Sequence, residues 1–383
     1  MPKQILKAYK IRLYPNEEQQ IFFAKSFGCT RFIWNRMLSD KIDHYNEHKT
    51  ELKNTPAQYK KEFEWLKEVD SLALANVQQN LRAAYSTFFK SGFGFPKFKK
   101  KGQRDSYTTN NQKGTVAVTN NTVKLPKIGH INAKFPNKIN GLIKSATISK
   151  TPSGKYYASL LVETVVEVLP KTGSNIGLDL GLTDFIVLSD GTKVANPKFL
   201  SKLQDRLTRE QKILAKRTAV AKADQRKLSD SRNYQKQKIK VAKVYEKITN
   251  TRKDFLHKLS FNLIKNHDVI AVEDLNIKGM VKNKKLAKAI SDSSWSTFTT
   301  MLNYKAEWYG KALIKVDRWY PSSKTCSGCG HLLTKAELPL QVRSWSCPSC
   351  QQKNDRDINA SINILNEGLK LATLKTVGAT GLA

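Results

Sequence analysis

Four cysteines near the C-terminus carry the sharpest chemical signal. Cys326-x2-Cys329 and Cys347-x2-Cys350 are separated by 17 residues. Each pair bends back so that two thiolates converge, and four thiolates complete a tetrahedron around Zn2+ with no position left for substrate. Such a site is structural. Gly328 and Gly330 suit the tight turn of the first knuckle, and Pro348 sits in the second. Three acids make the second signal. Asp179 interrupts the apolar run IGLDLGL, Glu273 ends the run VIAVE, and Asp357 opens a helical pattern. A charge on a buried strand is costly unless it is paired or holds a cation. Carboxylates are the hard donors that Mg2+ prefers, and two ions about 3.5–4 Å apart can stabilise the attacking water and the leaving oxygen of a phosphodiester. The expected cofactors are therefore two Mg2+ ions at Asp179, Glu273 and Asp357, with Mn2+ as a substitute, and one structural Zn2+. Taken singly, each acid is as well explained as a strand-end cap. Asp274 and Asp355 read as support for the trio or as exposed groups, and Asp184 and Asp190 as turn residues.

Composition narrows what such a site would act on. The 383 residues hold 66 Lys+Arg against 32 Asp+Glu, a net charge of +34. Self-repulsion on that scale asks for a polyanion, so nucleic acid is the default partner. No apolar run approaches the ~18 residues of a membrane span, and the N-terminus lacks a signal-peptide core. The expected location is the cytoplasm of a bacterial or archaeal cell, with the nucleoid and without a membrane partner. Hydrophobic residues at 40% exclude global disorder. Cys29 reads as a small core residue. The six histidines form no H-E-x-x-H and no compact pair, which argues against a histidine metallonuclease, and no P-loop motif suggests ATP hydrolysis.

The elements that must position these groups follow from periodicity. Residues 4–13 alternate as a strand. Asn16 and Gln19 form a capping-box pair, and a helical pattern follows, with Gly28 expected to split it in two. A further helix begins near Ser71 with the stripe Leu74, Val77, Leu81, Ala84 and Phe88. Residues 15–90 thus read as an α-helical block and 91–104 as a basic loop. Short strands fill 105–168 (TVAV, NTVKL, LIKSATIS, KYYASLLVETVVEV) and, joined by the first strand, make a β-domain with a helical insertion. Beyond residue 174 come the strands NIGLDLGL and DFIVLSDG and a candidate third, TKVA. Basic helices follow over 202–253, with 17 Lys/Arg against 5 Asp/Glu. Then come the strand DVIAVEDL, the helix NYKAEWYGK, the strand ALIKVDRWYP and, past the cysteines, the helix INASINILNEGLKLA. The last eight or so residues read as a frayed tail. A strand with Asp, further strands, a helix, a strand ending in Glu, and a last helix with Asp is the element order of the ribonuclease H-like fold, which brings the three acids together.

The runs IGLDLGLTDF, VIAVEDLNIKGM and RWYPSSKTCSGCG…SWSCPSC…DRDINASINI, in that order, resemble the TnpB family of transposon-encoded, RuvC-like RNA-guided nucleases related to type V CRISPR effectors. YKIRLYPNEEQQ, CTRFIWNRML and FPKFKKKGQ are similar to its N-terminal segment, so the resemblance covers nearly the whole chain. It implies a multi-domain α/β protein. A β-barrel wedge domain spans 1–14 and 91–170, and a helical recognition domain 15–90. A RuvC-like nuclease domain takes 171–320 and 353–383, interrupted by a zinc-bearing, target-binding insertion over 321–352. By motif, Asp179, Glu273 and Asp357 match the three catalytic acids, and the four cysteines the zinc ligands. The resemblance implies a guide RNA from the transposon end, a double-stranded DNA target cut next to a short adjacent motif, and a place beside a separate transposase. Gln351 stands where glycine is usual, and Ser361 where alanine is.

In guide-directed enzymes base pairing reads the sequence and the protein reads only the adjacent motif. The candidate reader is the helix after Ser71, where Asn76, Gln79 and Asn80, flanked by Gln78 and Arg82, lie opposite the apolar stripe; Asn and Gln can pair with adenine and Arg with guanine. A second polar patch, Tyr107 to Asn111, includes Thr109 and Asn110. Lys97, Lys99, Lys100, Lys101 and Arg104 would hold phosphates without reading sequence. Lys335 and Arg343 offer the same within the cysteine insertion. Three other readings compete: a ribonuclease H-like transposase acting without a guide, a guided DNA-binding protein that no longer cuts, and a structural RNA-binding protein. The last explains the charge but not the zinc-plus-acid constellation, and the intact acid trio argues against the second.

Overall fold

A computed structural model describes residues 2–135, 138–339 and 341–380, with side chains described up to residue 374. The chain divides into two compact units: Gln4–Val165 with Lys238–Lys243, and Met1–Lys3 with Val166–Gln237 and Val244–Ala383. Among the described residues no helix is long and apolar enough to cross a membrane.

The first unit contains β1 (Lys3–Tyr14), α1 (Glu17–His48), α2 (Pro56–Glu62) and α3 (Ser71–Ser91). These are followed by β2 (Asp105–Asn110), β3 (Ala117–Val118), β4 (Thr122–Leu125), β5 (Gly129–Lys134), β6 (Leu142–Lys150) and β7 (Tyr156–Val166). The seven strands form one sheet in the order β2-β6-β7-β1-β5-β4-β3. Alternate residues of β7 (Tyr156, Ala158, Leu160, Val162) share one core with Tyr107 near one edge of the sheet and Val123 near the other. Strands that far apart meet only if the sheet curls. It stays open at β2 and β3, so the barrel expected from sequence is a curled half-barrel. Strands β2 and β5 escaped the sequence reading because DSYTTN and GHINAK are mostly polar.

Helix α1 corrects a second expectation. Asn16 and Gln19 do form the capping box, with Gln19 N–H donating to Asn16 Oδ1 at 2.8 Å. However, Gly28 does not break the helix, which runs unbroken over 32 residues. A mid-helix glycine costs only about 1 kcal/mol. Packing outweighs it here: Phe23 and Phe27 pack in the sheet core, and Cys29, Ile33, Trp34, Met37 and Leu38 in a second core with α3. Gly28 falls where the helix passes from one core to the other. Cys29 is a core residue, and burial pushes its thiol up to about 11.

The second unit contains β8 (Asn175–Leu180), β9 (Asp184–Leu188), β10 (Lys193–Ala195), α4 (Phe199–Lys202), α5 (Gln204–Ala223), α6 (Arg232–Asn266) and β11 (Val269–Glu273). Then come α7 (Ile277–Met280), α8 (Ala287–Ser293), α9 (Trp295–Tyr309), β12 (Ala312–Val316), β13 (Ser344–Ser346), β14 (Lys353–Asp355) and α10 (Arg356–Thr380). The sheet order is β10-β9-β8-β11-β12. Strands β8, β11 and β12 are mutually parallel, whereas β9 runs antiparallel to β8. The continuous apolar run of β11 suits a central strand covered on both faces. One cover is α10. A Cβ at Gly177 of β8 would fall on the carbonyl oxygen of Ser361, so the helix lies against the strand at glycine distance. Gly368 meets Ala271 of β11 in the same way. Part of the expected frayed tail is helical, since α10 continues to Thr380, and residues 381–383 lie outside the described residues.

Candidate active site

Backbone register brings the first two acids together. The parallel β8–β11 pair aligns Val272 with Leu178, and one further residue along each strand gives Glu273 and Asp179. Both stand at the carboxyl end of their strands, where open α/β sheets bind ligands. Asp357 enters from the first turn of α10. That turn is capped by Asp355, whose Oδ1 accepts the N–H groups of Asp357 and Ile358 at 3.1 Å each. A carboxylate is favoured there by the helix dipole. Burial, then the charges of Glu273 and Asp357, push Asp179 up to about 7, while Arg343 and Arg356 oppose the shift. Burial also raises Glu273, against a hydrogen bond from Ser322. Asp179 therefore senses both of the other acids. They do not touch as a cluster: among the described residues, only the four cysteines form a group of three or more such ligands within 4.8 Å of one another. Asp357 is turned onto Arg343 at 3.2 Å. Hard oxygens that repel one another in a partly buried recess suit hard divalent cations.

The neighbouring acids have other tasks. Asp274 pairs with Arg318 at 2.9 Å, Asp355 with Lys193 at 2.7 Å, and Asp190 closes a turn onto Thr192 N–H at 2.8 Å. Beside Glu273 lies a cavity of about 360 Å3 bordered by Ser296, Thr299, Thr300 and Asn303 of α9. The sequence reading missed this row, although the spacing 296, 299, 300, 303 marks one polar helix face.

The zinc ligands are assembled as expected. Sγ of Cys326 lies 3.7 Å from that of Cys350, and Sγ of Cys329 lies 3.6 Å from that of Cys347. Tetrahedral Zn–S bonds of about 2.3 Å require sulfurs about 3.8 Å apart, so the cluster fits a zinc site. Gln351 adopts φ 61°, the left-handed conformation that favours glycine. Its departure from the family pattern keeps the backbone and puts a side chain on it. Ser361 is fully buried and donates to the Ile358 carbonyl at 2.8 Å.

A set of hydrogen bonds joins the cysteine site to the acids, and it too escaped the sequence reading. Buried Asn359 accepts Ser327 N–H at 2.8 Å and donates to the Thr325 carbonyl at 2.8 Å. One helical turn on, Asn363 donates to the carbonyls of Ser322 at 2.8 Å and Thr325 at 2.6 Å. The Ser322 hydroxyl donates to Glu273. Helix α10 thus holds the turn that leads into Cys326, and that turn holds Glu273.

In the first unit a cleft of about 500 Å3 gathers Asn76, Asn80, Lys99, Lys100 and Arg104 from the predicted set, and adds Arg31 and Gln103. The loop is fixed to α1: Asn35 bonds both ways with the Lys99 backbone, at 2.7 and 3.0 Å, and Trp34 Nε1–H donates to the Lys97 carbonyl at 3.0 Å. Lys99 Nζ lies 3.8 Å from the centre of the Trp34 ring. Gln79, Arg82, Lys97 and Lys101 are exposed outside the cleft. Asn76 turns back to its own helix at Leu72 and Gln78 donates to the Asn54 carbonyl, at 2.9 and 3.0 Å. Asn110 is half-buried. Thr109 is a correction: it is fully buried and donates to Asp70, the N-cap of α3, so its hydroxyl ties helix to sheet and does not face a ligand. In the second unit the turn between α5 and α6 gathers Lys216, Arg217, Arg226 and Arg232 around a cleft of about 440 Å3.

Known proteins resemble this chain in sequence and in fold. Residues 159–284 match a family described as "Probable transposase", residues 295–364 a "Cas12f1-like, TNB domain", and residues 1–50 a "Helix-turn-helix domain". The last stretch folds here as β1 and the single helix α1. A Streptomyces pristinaespiralis protein named "Putative RNA-guided DNA endonuclease" is 34% identical over 96% of this chain and 91% of its own length. The Escherichia coli K12 protein of the same name, InsQ, is 31% identical over 95% and 92%. In fold, the chain resembles the protein in a Cas12f1–sgRNA–target DNA complex, with a TM-score of 0.61, 12% identity, and coverage of 95% of this chain and 99% of that one. Relatives of this identity spanning nearly the full length place the chain in the TnpB family.

Proposed function

We propose that the chain is an RNA-guided DNA endonuclease that hydrolyses phosphodiesters of a double-stranded target at Asp179, Glu273 and Asp357. The observation that supports the reading is that Asp179 and Glu273 stand side by side at one end of the β8–β11 pair and that the charge of Asp357, in the first turn of α10, reaches Asp179. The strand order, with the second strand antiparallel, supports a ribonuclease H-like, RuvC-type nuclease domain over 171–320 and 353–383. The zinc-bearing insertion would be 321–352, and the wedge (1–14, 91–170) and recognition (15–90) domains would fall largely within the first unit, Gln4–Val165. The three carboxylates would hold Mg2+ or Mn2+, which when bound activates the attacking water and stabilises the leaving oxygen. Asp179 keeps a proton up to near neutral pH until a cation takes its place. Ser322 fixes the orientation of Glu273, and the hydroxyl row of α9 borders the space beside it. The cleft with Asn76 and Asn80 is the candidate reader of the adjacent motif, with Lys100 and Arg104 on phosphates. One carboxylate site implies that the two strands are cut in sequence. Within a mobile element, the protein would work beside a separate transposase.

The test begins with sequencing the RNA that copurifies with the protein and assaying cleavage of a matching target with and without that RNA. Guide-dependent cutting that Glu273→Ala abolishes, with RNA binding retained, is the expected result. Cutting by RNA-free protein would favour the unguided transposase.

A further inference from the structure

Within ten residues at the end of α3 and in the following loop, four phenylalanines face solvent. Phe89 is 75% exposed, Phe93 59%, Phe98 52% and Phe95 42%. A contiguous apolar patch on a soluble protein marks an interaction site. Two of the rings, Phe89 and Phe95, pack against aromatic neighbours on α3. Phe95 stands nearly perpendicular to Tyr85 and Phe88, with ring centres 5.5 and 5.4 Å away, and Phe89 lies 5.0 Å from Phe88. The loop behind it is pinned to α1 through Asn35 and Trp34. Lysines interleave the rings: Lys90, Lys97, Lys100 and Lys101 are all exposed. An apolar protein partner would not call for that many cations. Flat aromatic faces set among ammonium groups match flat bases on a phosphate chain.

We propose that these rings form a stacking platform for unpaired bases of the target DNA beside the duplex held in the Asn76–Asn80 cleft. The proposal rests on the guided-nuclease reading for its choice of DNA. Phe98 directly precedes Lys99 and Lys100, which border the cleft, so a duplex held there would end near the loop that carries the rings. Opening that duplex forfeits base stacking, and stacking on a ring returns a comparable amount. The platform would therefore help to start strand separation.

The experiment uses full-length protein and forked DNA with 2-aminopurine in the unpaired arm next to the duplex end, one probe for each strand. Wild-type protein should quench the probe in one arm. Phe89→Ala combined with Phe98→Ala should lose that quenching and bind the fork roughly tenfold more weakly, with blunt-duplex binding and the salt dependence unchanged. Lys100→Ala with Lys101→Ala should instead flatten the salt dependence. With guide RNA bound, the Phe variant should cut a fully paired target about tenfold more slowly and a pre-opened bubble target at the wild-type rate. Both Phe residues are exposed, so folding is not at stake. Equal fork binding by the variant, an equal deficit on blunt duplex or bubble, or undiminished binding to an abasic arm would overturn the platform. A greater loss on single-stranded RNA than on DNA would overturn the choice of strand. A wild-type protein that quenches the fork but never cuts with its guide would leave the platform standing and sink the nuclease reading.

Discussion

Asp179 is the residue at which folding and function pull apart most sharply, and Asp179→Asn separates them. Burial and the charges of Glu273 and Asp357 raise its carboxyl to about 7, whereas an unfolded chain releases that proton near 3.9. The folded state therefore binds the proton more tightly. Its contribution to stability is complete below about pH 4 and is lost as pH rises towards 7, at 1.36 kcal/mol per unit. Between pH 5 and pH 8 the zinc-loaded, magnesium-free protein should lose about 2.7 kcal/mol from this group, an upper value because the recess is only partly buried. Asn cannot ionise, so Asp179→Asn should remove this loss and melt higher than wild type at pH 8, by roughly 5 °C for a unit of this size. Added Mg2+ at pH 8 should raise the wild-type melting temperature more than the variant's, because the variant keeps only two of the three charges that a cation would neutralise. The same variant should not cut DNA. Differential scanning calorimetry at pH 5, 6, 7 and 8, with and without Mg2+, reads all of this. If wild type and variant melted together at pH 8, the acids would not share a recess, and the metal site built on them would fail.

Three further outcomes test the parts around it. Gly177→Ala places a Cβ against the Ser361 carbonyl; lifting α10 should cost about 1–3 kcal/mol and reduce cleavage far more than guide binding. Asn359→Ala leaves Ser327 N–H and the Thr325 carbonyl without partners; it should raise the Mg2+ concentration for half-maximal cutting about tenfold, as loss of outer-shell support does, and speed zinc loss to a chromogenic chelator. An unchanged Mg2+ requirement would show that the turn does not position Glu273. Cys347→Ser should bind less than one zinc per chain by metal analysis and lose several kcal/mol of metal-linked stability, with the first unit's melting transition unaffected.

The motifs were legible in the sequence because their chemistry is local or their periodicity strong. Two C-x2-C pairs announce a tetrahedral metal by spacing alone, and an acid inside an apolar strand stands out wherever the strand sits. The capping box, the apolar stripe of α3 and the paired basic helices follow from the same short-range rules. Other features depended on packing between distant segments. Gly28 looked like a break because propensity is a local quantity, and two cores meeting on one helix outweighed it. Asn359 and Ser322 are unremarkable polar residues until α10 is laid on the turn before Cys326. Thr109 looked like a surface hydroxyl until β2 placed it against Asp70. Residue types thus determined which chemistry the chain could perform. Only the close approach of α10 to β8 through Gly177 decided that the helix carrying the third acid would lie against the strand carrying the first, since that contact depends on a register between segments about 180 residues apart that no local pattern encodes.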